Sequence, residues 1–300
     1  MKWTGWLAAI LMVLTGSSVF AAEKISKVSN PVEVRSEIQV DPDLSKEIEG
    51  LQWNRWTSKN FTVLALNDSQ AQYLHLHLEQ VKTWALTRWG FQDITFASEC
   101  KLIVVDDPAT FKKLFQLEAT KVEIRRKEGK IESTVIFLLA NTPPSKCVPI
   151  PVTQVCLAEL AESKSTKFAI WSIRGMSLLN GTLDQIRDRI GEVNSLFIKD
   201  QPFFFSKSLL EMTKEEYAKL EPAKKREFDN SAMMFCLLVR KEFGQDKFLK
   251  LVADSSEPSL QKLLGFDGYA GFDRSFKRFI GDLTGEVKNG KTPDSYLQIR

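Results

Sequence analysis

The chain has 300 residues, enough for one large domain or two small ones with a sizeable core. Its 43% hydrophobic and 26% charged residues are ordinary globular values, which excludes a low-complexity or fibrous chain. A net charge of +3, with no dense Lys/Arg run and no interleaving of aromatic and basic residues, speaks against a nucleic-acid partner.

In chain order, the first segment reads as a processing signal. Lys2 is a minimal positive region, and residues 5–14 (GWLAAILMVL) form an apolar run short for a membrane span. Val19-Phe20-Ala21 offers a small-residue cleavage site, with cutting after Ala21 expected and after Ala22 the alternative. An uncleaved anchor is the competing reading. Residues 1–21 are therefore expected to be a signal peptide, with the mature protein periplasmic or extracellular and not stably inserted in a membrane. Residues 22–50 are polar and weakly periodic, with Pro31 and Pro42, and read as a linker.

From Trp53 the pattern tightens. Residues 61–66 predict a strand, and Asn67-Asp68-Ser69 supplies an N-cap for a helix over 69–89, whose apolar positions Leu74, Leu78, Val81, Ala85 and Trp89 recur at three- and four-residue steps. Gly90 ends it. Residues 101–105 (KLIVV) predict a strand buried on both faces. Asp106-Asp107-Pro108 opens a helix to Leu117, with Pro near the first turn. Residues 121–126 and 133–140 predict a hairpin around Glu128-Gly129-Lys130. After the Pro-rich loop 141–151, helices are expected at about 152–163, 169–179, 214–220, 223–243, 245–253, 259–264 and 271–280, with Gly244 as a stop. Residues 283–300 are polar and read as a loose tail. The fold class expected is α+β: a small N-terminal mixed sheet with helices over 53–163, then a mostly helical half over 164–282.

Export permits disulfides among Cys100, Cys147, Cys156 and Cys236. Four cysteines allow three pairings, and sequence alone does not choose. Cys100–Cys147 with Cys156–Cys236 is the expectation, the second bridge joining two predicted helices. Buried free thiols at Cys156 and Cys236, each in an apolar helical run, stand as an equal alternative. No C-x-x-C spacing supports a zinc knuckle or a redox motif.

Residues 156–177 (CLAELAESKSTKFAIWSIRGMS) carry the most specific pattern. Ala158-Glu159-Leu160-Ala161-Glu162 sits on one predicted helix and Trp171-Ser172-Ile173-Arg174-Gly175-Met176-Ser177 on the next. Trp56 and Ser58 stand just before the first strand, and Phe243-Gly244, Leu263-Leu264-Gly265-Phe266 and an aromatic last helix (Phe272, Phe276, Phe279) follow in order. This succession resembles the gluzincin zinc metallopeptidases of the peptidase-MA-like group over residues 53–282. In such a family two His at i and i+4 of H-E-x-x-H donate to zinc, the Glu between them polarises the bound water, and a carboxylate of W-x-x-E-G-x-A completes the set.

The resemblance implies that Ala158 stands at the first His, Glu162 at the second and Arg174 at the third ligand. Only Glu159, at the base position, remains. No cofactor and no catalytic residue are expected. The two histidines, His75 and His77, are two apart on one helix and cannot chelate as an i, i+4 pair. Arg174 is expected to pair with Glu159 or Glu162, an ion pair holding two helices where zinc would, unless both are solvent-facing charges. Trp171 is expected to pack the core.

Phosphate loops, nucleophile elbows and EF-hand spacings are absent. Asp106-Asp107 reads as a helix cap before an acid–base pair. Asn60-Phe61-Thr62 and Asn180-Gly181-Thr182 match the glycosylation triplet. The function expected is an exported, catalytically inactive peptidase-like protein that binds or scaffolds a peptide or protein segment. Phe168, Ile170 and Phe203-Phe204-Phe205 are candidates for lining its cleft, with core packing their alternative role. The alternatives are an active hydrolase with a relocated or differently aligned site, and a structural envelope protein.

Overall fold

A computed structural model describes residues 51–127, 130–140, 142–163, 168–198 and 204–289. The expected signal peptide, linker and final residues lie outside these, as do the Glu128-Gly129 turn and Phe203.

The architecture is α+β, a five-stranded mixed sheet followed by helices. The strands β1 (Asn54–Thr57), β2 (Phe61–Ala65), β3 (Cys100–Val105), β4 (Lys121–Lys127) and β5 (Lys130–Leu138) lie in the order β1-β2-β3-β5-β4. β2, β3 and β5 run parallel, with β1 and β4 antiparallel at the edges. Side-chain alternation splits the sheet into two cores. Leu64, Ile103, Val105 and Ile136 face α2 (Pro108–Phe115), which contributes Phe111 and Leu114. Phe61, Val63, Leu102, Val104, Val135 and Phe137 face the main core, beginning with α1 (Asp68–Thr87). The expected buried strand at 101–105 therefore serves both cores. Both helix starts are as the caps suggest. Asn67 accepts from Ser69 and Gln70 N–H at the start of α1, and Asp107 from Thr110 N–H at α2.

After the short α3 (Pro144–Cys147), the helix α4 (Pro149–Ser163) begins earlier than expected. Pro149 and Pro151 both fit its first turn, where backbone N–H groups have no helical acceptor. α5 (Ile170–Leu179) packs between α4 and α9 (Pro222–Ala253), which carries the broadest apolar run, Phe228 through Val239. Inside α9, Gly244 takes φ 80° and ψ 174° and breaks the helix where a stop was expected.

Several differences from the sequence expectation stand out. β1, the short α3 and the helices α6 (Leu183–Ile198) and α7 (Ser206–Leu210) are additional. α6 is anchored by Ile186, Ile190 and Val193, a three- and four-residue spacing diluted by seven charged or amide neighbours' polarity in the same stretch. α8 (Lys214–Lys219) and α10 (Glu257–Leu264) fall near their expected places, α8 through a capping box of Thr213 and Glu216. The last helix, α11 (Gly268–Lys288), continues past residue 283 because Leu283 and Thr284 are buried, so the loose tail does not begin there.

The cysteines differ as well. All four are free thiols, and neither expected bridge forms. Cys236 packs its sulfur against Gly175 on α5, whereas Cys156 faces the Lys82, Asp93 and Cys100 side of the core. Cys147 turns its thiol to the carbonyls of Thr142, Pro143 and Pro144, away from Cys100 in the strand β3. Burial raises the Cys100 thiol to about 12 and the Cys147 thiol to about 11. A thiol-specific chromogenic reagent should count four thiols in denaturant and react natively with Cys147 before Cys100, Cys156 or Cys236. Fewer than four in denaturant without reductant would show that a bridge forms.

Candidate functional site

The motif helix α4 lies under the sheet and is apolar nearly all round, with Val152, Val155, Cys156, Leu157 and Leu160 buried. A helix so placed leaves little room for a charge, yet Glu159 sits in it at 2% exposure. Its Oε2 accepts the Ala97 N–H at 3.2 Å, and its Oε1 has no hydrogen-bond partner. Burial raises the carboxyl above its ordinary pKa of 4.5; the Ala97 hydrogen bond opposes this, and the charge of Glu162 adds to it. A raised carboxyl pKa means that the folded state holds the proton more tightly. Stability is then greatest below pH 4.5 as far as this group is concerned, and falls as pH rises through its folded value. Glu159→Gln should therefore gain about 1 kcal/mol at pH 8 and nothing near pH 4 in urea unfolding. An equal effect at both pH values would contradict the burial of the charge.

The other motif residues diverge. Ala158 is 9% exposed and offers no donor atom. Glu162 forms an ion pair with Arg126 of the edge strand β4. Arg174 turns to the opposite side, toward α9. Its Nε and Nη2 donate to the two oxygens of Asp229 at 2.8 and 2.5 Å, and its guanidinium lies 5.3 Å from the Tyr217 ring. Tyr217 Oη donates to Asp229 at 3.0 Å. The expected pairing of Arg174 with Glu159 or Glu162 is thus corrected: α5 presents Arg174 to α9 and not to α4. Burial works against the Arg174 charge, but the hydrogen bonds and charge of Asp229 outweigh it and raise its pKa.

Beside this pair runs a second polar chain. Arg189 of α6 donates to Asn230 Oδ1 at 2.7 Å, Asn230 Nδ2 donates to Glu192 at 3.0 Å, and Arg226 pairs with Glu192 from the other side. Burial lowers the Arg189 pKa, with Asp229 and Glu192 opposing. Hydrogen bonding from Arg226 holds the Glu192 carboxyl below its ordinary range. Glu192, Ser195, Leu196, Ala223, Arg226, Glu227 and Asn230 line a cleft of about 320 Å³ between α6 and α9. Glu192, Arg226 and Asn230 are held in fixed hydrogen-bonded pairs along it, and most of its exposed surface is apolar.

Arg189 and Glu192 lie on α6, a helix absent from the sequence expectation, whereas Tyr217, Asp229 and Asn230 lie on expected helices whose facing sides only the packing reveals. The available signal was Asp229-Asn230, two polar residues entering the apolar run of α9.

The expected aromatic lining disperses. Phe168 is buried beside Phe91, Phe204 packs on Phe228, and Lys277 covers Phe205. Ile170 is half-buried on the main core. Trp171 is fully buried, edge-on to Phe235 at 4.7 Å, in the packing role expected.

His75 lies tilted against Trp56 and His77 against Tyr73, on separate contacts. His77 joins Tyr73, Trp84, Pro144 and Val148 around a second, apolar hollow of about 270 Å³ between α1 and α3. Asn60 and Asn180 of the two glycosylation triplets are buried. Asn60 is bonded to Glu79 and Phe96, and Asn180 to Trp89 and Thr153, so neither amide faces solvent.

Among the described residues, no three His, Cys, Asp or Glu side chains converge as a metal ion requires. No helix among them is long and apolar enough to cross a membrane. Comparison with models of known protein families returns no match, and comparison with curated proteins returns none either.

Proposed function

We propose that the chain is an exported, catalytically inactive relative of the gluzincin metallopeptidases that serves as a binding or scaffolding module for a peptide or protein segment. One observation carries this: where the motif calls for a third zinc ligand, Arg174 stands with the Nε–Nη2 edge of its guanidinium committed to both oxygens of Asp229. A zinc ion does not fit such a donor set. Ala158 has no donor, Glu162 is drawn off to Arg126, and Glu159 alone keeps its motif chemistry. The charged, short apolar and small-residue succession over 2–21 supports export. The cleft between α6 and α9 is a concave, largely apolar surface suited to an extended segment, with polar groups of Asn230, Ser195 and Glu227 at its wall.

Metal analysis of the purified full chain tests the inactive assignment: zinc far below one equivalent is expected, and one tight equivalent ends it. A peptide array probed with wild type and Asn230→Ala tests the binding role. Signals weakened by the substitution support the cleft, and an array silent for both proteins removes peptide binding.

A further inference from the structure

A different place in the molecule carries an unmet charge. Arg240, on α9 one turn before the Gly244 break, is 7% exposed. Its Nη1 is buried without a hydrogen-bond partner, and among the described residues no carboxylate pairs with its guanidinium. The group lies 5.5 Å from the ring of Trp89, the residue that follows Arg88 at the end of α1. Arg88, whose guanidinium lies 5.2 Å from the Trp84 ring, is near enough for its like charge to act on Arg240: burial first, then Arg88, lowers the Arg240 pKa.

An arginine cannot shed its proton to relieve burial. Ring contact with Trp89 offsets part of the lost hydration and leaves the hydrogen-bonding demand of the guanidinium standing. Gln245, just past the break, borders the same tryptophan. Its Nε2 donates to the Trp89 carbonyl, and its Oε1 is buried with no partner. An orphaned cationic donor and an orphaned neutral acceptor therefore flank one residue. A simple anion answers only the first. An oxyanion that keeps a proton answers both, with charged oxygens for guanidinium and an O–H for the amide oxygen.

We propose that Arg240, Arg88 and Gln245 form a binding site for a small oxyanion of the hydrogen-phosphate class, at the junction of the end of α1 and the Gly244 break of α9. The phosphate is free or is the head of a monoester; the two share this chemistry. The site is separate from the cleft between α6 and α9 and does not depend on the peptide-binding proposal.

Isothermal titration of the full chain with inorganic phosphate, and separately with glycerol phosphate, tests it. Direct titration is preferred to a melting shift because phosphate stabilises proteins generally through exclusion from their surface. Saturable binding of one equivalent is expected for at least one of the two, the tighter identifying the natural form. Arg240→Met, which keeps the apolar stem packed, should weaken it by about tenfold or more, and Arg88→Gln by about threefold. Absence of saturable binding of both probes overturns the site, as does unchanged binding in Arg240→Met. If Arg240→Met does not fold, the Arg88→Gln titration decides alone: wild-type affinity there overturns the proposal.

Discussion

Asp229→Ala should destabilise the protein by about 4 kcal/mol, read from urea unfolding followed by tryptophan fluorescence. The Asp229 side chain is 8% exposed and the Arg174 side chain 22%, so water does little to screen the pair. Removing Asp229 leaves Arg174 charged, largely buried and without the two hydrogen bonds that satisfy it. Tyr217 also loses the acceptor of its hydroxyl. The double substitution Arg174→Met with Asp229→Leu should recover most of the loss, because apolar residues of similar volume replace buried ion pairs at little cost. A loss below about 1 kcal/mol in the single variant would mean that the pair behaves like a solvated surface bridge. The same experiment locates what the pair does. It ties α5 to α9 and fixes one wall of the polar region beside the cleft, so cleft binding should weaken in Asp229→Ala even at temperatures where the variant stays folded.

Gly175→Ala is expected to cost about 3 kcal/mol, the upper part of the range for overpacking. A Cβ at this position would stand 2.5 Å from the Ala232 carbonyl oxygen and 2.5 Å from the Cys236 sulfur. The obstruction is the backbone of α9, which cannot give way without shifting Phe235 and the aromatic cluster behind it. Gly191→Ala provides the matched comparison. It is also helical, and nothing lies within 4 Å of its added Cβ, so it should gain about 0.5 kcal/mol from helix propensity. Equal effects at the two glycines would show that α5 and α9 are not in close contact. The W-x-x-x-G spacing thus has a packing meaning of its own here: Trp171 fills the core against Phe235, and Gly175 lets α9 approach.

The sequence by itself determined the local elements with strong signals. Asn67 and Asp107 cap helices whose caps they spell, the 101–105 run is a two-faced strand, and Gly244 interrupts a helix because only glycine readily takes its φ of 80°. It also determined that Ala158 and Arg174 offer no donor to a metal ion in any fold. It did not determine partners. Glu162 and Arg174 carry opposite charges at motif positions and invite pairing on paper. The packing of α5 across both α4 and α9 sends Arg174 to Asp229, 55 residues on, and leaves Glu162 to Arg126. The cysteines follow the same logic, because helix rotation within the core aims Cys156 and Cys236 at different neighbours. Capping and strand patterns are set within a few residues of chain, whereas ion pairs, thiol contacts and clefts depend on helix faces that only tertiary packing orients.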